Sequence, residues 1–182
     1  ICGLDGLLYR TDDTTERVTE AEWFKTACKG KYVITEPFFS SRERKHTSIA
    51  AVPMHDLQGK ITGVISVTIL GDSLSNLISD IIVGETGTAY LISPDGTILG
   101  NRRPEILYKS FFTEIIGSET SDFARFIQKS LSSNKSAVNT SKLNNIRHIS
   151  AVSQMRYSGW TLLLTAPASE FIAENVSNLI NT

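Results

Sequence analysis

Apolar and polar residues alternate along ITGVISVTIL, from Ile61 to Leu70, with Ile61, Ile65, Val67 and Ile69 on one face and Thr62, Ser66 and Thr68 on the other. A period of two predicts a β-strand. A second β run, TSIAAVPM at 47–54, precedes it across the turn HDLQGK. Directly after it the period changes. Leu74, Leu77, Ile78, Ile81 and Ile82 recur at three and four residues behind Asp72, a residue type suited to the N-cap, and predict a helix. The same order returns near the other end: RHISAV at 147–152, the turn RYSG, WTLLLT at 160–165, then from Pro167 a helical stripe of Phe171, Ile172, Val176, Leu179 and Ile180. Each half thus closes as strand, turn, strand, exit helix, in about ninety residues, the size of a small domain. The economical reading is two similar modules in tandem, divided near residues 71–84.

The other elements fit this division. In the first half EAEWFKTAC, Glu20 to Cys28, predicts a helix ahead of the strand pair. The second half opens on VGETGTAYLISPDGTILG, in which two β runs flank Pro94-Asp95-Gly96; proline fixes one φ and glycine admits the other that a tight turn needs. The spacing GETG lacks the Gly-Lys of a phosphate-binding loop and the helix that would follow it, so the stretch reads as scaffold. Helices are expected near Ile106 to Phe112 and over Asp122 to Leu131, and SSNKSAVNTSKLNN is a loop or an exposed hairpin. Short antiparallel strands with helices to one side give an α+β class, not a doubly wound nucleotide fold.

Composition narrows the chemistry. The 182 residues are 41% hydrophobic and 20% charged, enough to bury a core, and 18 basic against 19 acidic residues are spread along the chain. No basic stripe is present to hold a phosphate backbone, which excludes nucleic acid as the expected partner. Cys2 and Cys28 form no CxxC pair; they are either two thiols or one disulfide. His46, His55 and His148 have no metal-ligand spacing. Asp12-Asp13 and Glu20/Glu22 are solvated charges at a loop and a helix start. With no GxSxG elbow and no paired carboxylates on one apolar face, no catalytic residue, metal or cofactor is assigned, and a small hydrolase is the lesser alternative. No apolar run reaches the roughly 18–20 residues of a membrane span. The chain opens in strand-like sequence at Ile1 and ends in a helical pattern at Thr182, so it reads as a segment of a longer protein.

The succession EWFKTACKGKYVITEPFFS, SIAAVPMHDLQGKITGVISVTIL, an amphipathic helix, GETGTAYLISPDGTILGN and YSGWTLLLTAP resembles the double Cache (dCache) sensor domains of bacterial chemoreceptors, sensor histidine kinases and diguanylate cyclases. The resemblance implies two tandem PAS-like modules, each an antiparallel sheet flanked by helices: a membrane-distal module at 1–72, a connecting helix at 73–84, and a membrane-proximal module with the exit helix at 85–182. It also implies an extracytoplasmic location in a membrane-anchored parent, with spans of about 20 residues flanking the domain. The family's long N-terminal helix has no counterpart in the sequence. A small-molecule ligand in the distal module is the expected partner, with a homodimer or a ligand-free interaction module as alternatives.

In amino-acid-sensing members of that family an arginine two residues before the helix tryptophan holds the carboxylate, and carboxylates on two later strands hold the ammonium. Here those positions carry Ala21, Ser40 or Ser41, and Thr68. A buried zwitterion without paired charges would lose several kcal/mol of solvation, so the expected ligand is weakly charged or neutral and not a standard amino acid. Trp23, Phe24 and Phe38 are the expected aromatic walls, with Ser40, Thr68 and Tyr32 as neutral hydrogen-bonding groups. Arg17 is the nearby cation that could substitute. Trp23 and Phe24 read equally well as core anchors of their helix.

Overall fold

The computed structural model describes residues 1–117, 121–133 and 135–171, and the chain forms two compact units, Ile1–Gly71 and Asp72–Thr182. In the first, β1 (Cys2–Gly3), β2 (Leu7–Tyr9), β3 (Thr15–Arg17), β4 (Val33–Ile34), β5 (Phe38–Ser40), β6 (Lys45–His55) and β7 (Ile61–Leu70) build one antiparallel sheet. Its order is β3-β2-β1-β7-β6-β4, with β5 also pairing β6. The helix α1 (Glu22–Cys28) packs on β4, β6 and β7. The 11- and 10-residue strands β6 and β7 form the central hairpin, whose turn closes through Lys60 N–H donating to the Asp56 carboxylate at 2.8 Å.

In the second unit α2 (Gly71–Ser79) is followed by β8 (Thr88–Ile92), β9 (Ile98–Gly100), α3 (Asp122–Leu131), β10 (Ala137–Leu143), β11 (Ile146–Gln154) and β12 (Thr161–Pro167). Its antiparallel sheet runs β10-β11-β12-β8-β9. Both sheets place the last strand beside the first, the opening strands to one side and the penultimate strand to the other, and both insert helix after the opening strands, α1 after β3 and α3 after β9. The duplicated strand order expected from sequence is therefore present, as a PAS-like topology used twice.

Core formation follows burial. In the first unit Cys2, Leu8, Val18, Trp23, Phe24, Ala27, Ala51 and Val64 cluster under α1. In the second, Phe111 is fully enclosed, its ring edge-on to Tyr90 with centroids 5.1 Å apart and 6.3 Å from that of Phe123. The helix α3 contributes Phe123, Ala124, Ile127 and Leu131 from one stripe, and Ser121 caps it by accepting from Ala124 N–H at 3.1 Å. On α2, Leu74 and Ile78 are buried, and a side chain at Gly100 would lie 3.0 Å from Ile78.

Three sequence expectations need revision or completion. The helix near Ile106 to Phe112 is a 3₁₀ turn, Pro104–Ile106, and a π-helical turn, Phe112–Ile116. Between them the backbone is engaged elsewhere: Tyr108 N–H donates to Ile98 O, Ile98 N–H to Lys109 O and Phe111 N–H to Gly96 O, which fastens this segment to the β8–β9 hairpin. In the polar stretch read as a loop or an exposed hairpin, the described residues 137–143 form β10, which turns back into β11 at Asn144-Asn145, both in the left-handed region, so the hairpin alternative holds. Finally, the described chain turns helical at 168–171; Phe171 lies there, while Ile172, Val176, Leu179 and Ile180 lie outside the described residues.

The hairpin of residues 88–100 is scaffold. Gly96 sits at φ +89°, Ser93 N–H donates to Thr97 O at 2.9 Å, and Asp95 accepts from Thr97 N–H at 3.0 Å. The flanking Ile92 and Ile98 are fully buried. Ser93 hydroxyl also bonds the Asp95 carboxylate and, with the Thr97 amide, holds its carboxyl below the usual range despite partial burial.

Candidate functional site

The register of the first sheet decides which side chains share a face. Cys2 pairs Val64 and Leu8, Ala51 pairs Ser66, Ile49 pairs Thr68, and Thr47 pairs both Leu70 and Phe38. Cys2, Leu8, Ala51 and Val64 belong to the core beneath α1, so Thr47, Ser66, Thr68, Phe38 and Ser40 lie on that same face. Further along it the face changes from apolar to hydroxyl-bearing: Thr47 is buried, Ser66 half-buried and Thr68 exposed, with Phe38 43% exposed at the edge.

The opposite face of β7 is the apolar one, and it points outward. Ile65 and Val67 are exposed, Val67 by 58%, as is the neighbouring Val52. A free-standing sheet with one wet face shows the reverse pattern. Hydroxyls retained beside a core and isoleucine and valine turned out of it set this sheet apart from one built for stability alone.

On α1, Trp23 is 8% exposed and Phe24 is buried, and the two rings meet edge-to-face with centroids 6.1 Å apart. Both anchor the helix. Ala21 is the N-cap; it has no side-chain capping bond, and its carbonyl accepts from Lys25 N–H at 3.1 Å. Lys25 also pairs with Glu20 and Glu22 at 3.2 and 3.3 Å on the surface. Tyr32 is exposed in the segment that enters β4. Ser40 Oγ accepts from Glu43 N–H at 3.2 Å within the turn that joins β5 to β6.

Arg17 is not brought to this face. It pairs Leu7 while its neighbour Glu16 pairs Leu8, which sets Arg17 on the reverse side of the sheet, where it donates to Asp5 O at 3.3 Å. Phe38, Ser40 and Thr68 thus share the sheet face on which α1 packs, Trp23 and Phe24 reach the core from α1 itself, and Arg17 is excluded. Thr47 and Ser66 complete the hydroxyl row. The alternation in β7 already grouped Ser66 with Thr68, whereas Thr47 needed the inter-strand register.

A charged cluster that sequence reading missed links two turns. Arg42 donates to Asp12 at 2.6 Å and to the Thr14 hydroxyl at 2.7 Å, and Thr14 donates its hydroxyl and its amide to Asp12 at 2.6 and 3.1 Å. The Thr14 hydroxyl, then Arg42, hold the Asp12 carboxyl well below the usual carboxylate range. Thirty residues separate Asp12 from Arg42, so no local pattern announces the pair.

Cys2 and Cys28 are free thiols, and burial raises both above the ordinary thiol value. Among the described residues no group of three or more His, Cys, Asp or Glu side chains could hold a metal ion, and no helix is long and apolar enough to cross a membrane.

Two PAS-like units in tandem, with a hydroxyl-bearing face beneath the helix of the first, define a sensor-domain architecture. The chain belongs to the double Cache family: the Cache domain model dCache_1 matches residues 5–174. No curated protein sequence is detectably similar to it. Among solved structures it is similar to the sensory domain of the Campylobacter jejuni chemoreceptor Tlp3 with isoleucine bound, at TM-score 0.64 and 16% identity over 93% of this chain and 65% of that one. It is also similar to the extracellular domain of mmHK1S-Z3, assigned as a histidine kinase, at TM-score 0.66 and 15% identity over 91% of this chain and 61% of that one. The ligand-binding domain of Mlp24 with asparagine matches at TM-score 0.55 and 16% identity over 90% and 68% of the two chains. The chain therefore spans about three fifths to two thirds of these structures.

These neighbours correct one expectation. Absence of charged groups at Ala21, Ser40 or Ser41, and Thr68 pointed away from a standard amino acid, yet domains of this fold bind isoleucine, valine and asparagine. Three positions transferred from one family motif do not decide the ligand class, because backbone groups and residues distant in sequence can also supply polar contacts to a ligand.

Proposed function

We propose that this chain is the extracytoplasmic ligand-sensing part of a membrane-anchored signal transducer, a chemoreceptor or a sensor kinase, and that its role is binding and relay without catalysis. Residues 1–72 form the membrane-distal module and hold the ligand; the segment 73–84, of which only the part within α2 is helical while Ile81 and Ile82 lie beyond the helix end, connects it to the membrane-proximal module at 85–182. The observation that carries the reading is the register of β5, β6 and β7, which ranks Phe38, Ser40, Thr47, Ser66 and Thr68 on the face that α1 covers.

The ligand is a small α-amino acid or a close analogue. Support comes from the isoleucine, valine and asparagine bound by domains of the same fold. In this chain its polar groups meet hydroxyls and backbone, with Trp23 as the floor. Neutral donors and acceptors compensate a desolvated zwitterion less fully than paired charges, so selectivity rests on shape as well as charge. Ligand binding shifts the output only as far as it prefers one arrangement of the chain over another.

Calorimetric titration with the aliphatic and amide amino acids tests this. Saturable binding, weakened about tenfold by Thr68→Val through loss of a hydroxyl contact, is the expected result. Silence toward the whole amino-acid panel and toward a metabolite library would leave the interaction-only module as the function.

A further inference from the structure

The turn GETG at 84–87 has no phosphate-loop signature, yet it holds an anion, the chain's own Glu170. Glu85 N–H donates to Glu170 Oε2 at 2.7 Å, Thr86 N–H is shared between the two carboxylate oxygens at 3.2 and 3.3 Å, and the Thr86 hydroxyl donates to Oε1. Successive amides turned toward one carboxylate form a concave anion cradle. Gly84 makes the room for it. This glycine sits at φ +59°, and a Cβ there would collide with the Glu170 carboxylate.

The place of this contact in the fold gives it a role. The ladder between β8 and β12 ends at Thr88 and Thr165, and Glu170 adds a connection beyond that end, between segments 85 residues apart in sequence. On one side lies the stretch that arrives from α2, Ile81–Val83, which has no regular structure and leaves Ile82 86% exposed. On the other lies the helical turn at 168–171, where the exit helix expected from sequence begins. Neither stretch belongs to the hydrophobic cluster around Phe111, so the carboxylate ties together two pieces that this core does not hold. Its hydrogen bonds lie in exposed surroundings, so water can replace them, and they are charge-assisted, so they are worth remaking.

We propose that Glu170 is a clasp with a closed and an open state, which couples the segment arriving from α2 to the exit of the second unit. Closed, it passes a displacement of residues 81–86 on to 168–171. Open, with water in place of the carboxylate, the turn pivots at Gly84 and the two pieces move independently. The signalling role of the clasp rests on the reading of the chain as a relay, whereas the coupling itself needs no ligand.

Backbone order parameters and amide exchange, measured by magnetic resonance on the 182-residue chain with no amino acid added, test the coupling, so a failure of ligand binding in the first unit leaves the outcome unaffected. In the parent chain both 84–86 and 168–171 should be ordered, with order parameters near about 0.85. Glu170→Gln should speed exchange of the Glu85 and Thr86 amides about tenfold, the scale of one charge-assisted hydrogen bond. Gly84→Ala, which evicts the carboxylate from the far side, should lower the order parameters of 168–171 to below about 0.6. Thr86→Val, which introduces no collision, should lower them less and in the same direction. Adding Glu170→Gln to either variant should change 168–171 little further, the mark of one shared contact. Protection retained by the amides of β8, β11 and β12 shows that the fold persists in each variant. Order at 168–171 that both Gly84→Ala and Thr86→Val leave unchanged, or effects that add in full in the double variants, overturns the proposal.

Discussion

Replacing Trp23 by alanine removes the largest side chain of the first unit's core. The indole is 92% buried by its 8% exposure, against Phe24 and the cluster of Cys2, Leu8, Ala51 and Val64. A buried tryptophan covers about 150–250 Å², and at about 25 cal/mol per Å² its burial is worth about 4–6 kcal/mol. Large-to-small core substitutions of aromatic residues cost about 3–5 kcal/mol in practice, because the site partly collapses. For a unit of this size each kcal/mol lowers the melting temperature by about 4–8 °C, so Trp23→Ala should lower it by at least about 12 °C. Trp23→Phe should cost only about 1–2 kcal/mol, since a ring still fills most of the space. Differential scanning calorimetry measures the loss. Fluorescence assigns it, because the chain has two tryptophans and Trp160, buried in the second unit, then reports alone. A Trp23→Ala melting point within about 3 °C of the parent would refute the anchoring role and return the indole to the ligand alone.

Gly87→Ala should destabilise the second unit severely, since its Cβ would lie 2.0 Å from Val83 O and 2.6 Å from the Ala166 side chain; thermal melting checks it. Asn101→Ala should cost about 2–4 kcal/mol, because buried Asn101 donates to Ala89 O at 2.7 Å and accepts from Arg103 N–H at 2.9 Å, and chemical denaturation reads the loss. Glu170 accepts from the Thr86 hydroxyl and from the amides of Glu85 and Thr86, which hold its carboxyl below the ordinary value. A depressed folded-state value adds stability above the unfolded-state value, and that stability is lost as pH falls through the folded one. Melting temperature should therefore drop below about pH 4, and Glu170→Gln should flatten that drop.

Much of the fold was legible because its central strands obey local rules. Ile61–Leu70 alternates most clearly over Ile65–Ile69, Asp122–Leu131 shows one apolar stripe behind a serine cap, and Pro94-Asp95-Gly96 marks its turn chemically. The helix near Ile106 was misread because its apolar spacing is equally served by a segment whose amides bond to 96–98, a tertiary choice that periodicity does not encode. The site was harder. Alternation showed that β7 has an apolar and a hydroxyl face, but only the pairing of Cys2 with Val64 and of Ala51 with Ser66 shows which one α1 covers. Arg17 was a candidate through proximity in sequence; one step of register places it on the wrong side.

Resonance mapping is the most direct measurement of the sensing claim. An isotope-labelled chain would be titrated with isoleucine, valine and asparagine, and backbone amide and indole shifts followed residue by residue. At least one of the three should move Thr47, Ser66, Thr68 and the Trp23 indole together, with a common saturation curve. Shifts confined to residues 85–171, or no saturable shift from any amino acid, would contradict ligand binding on the hydroxyl face of the first unit.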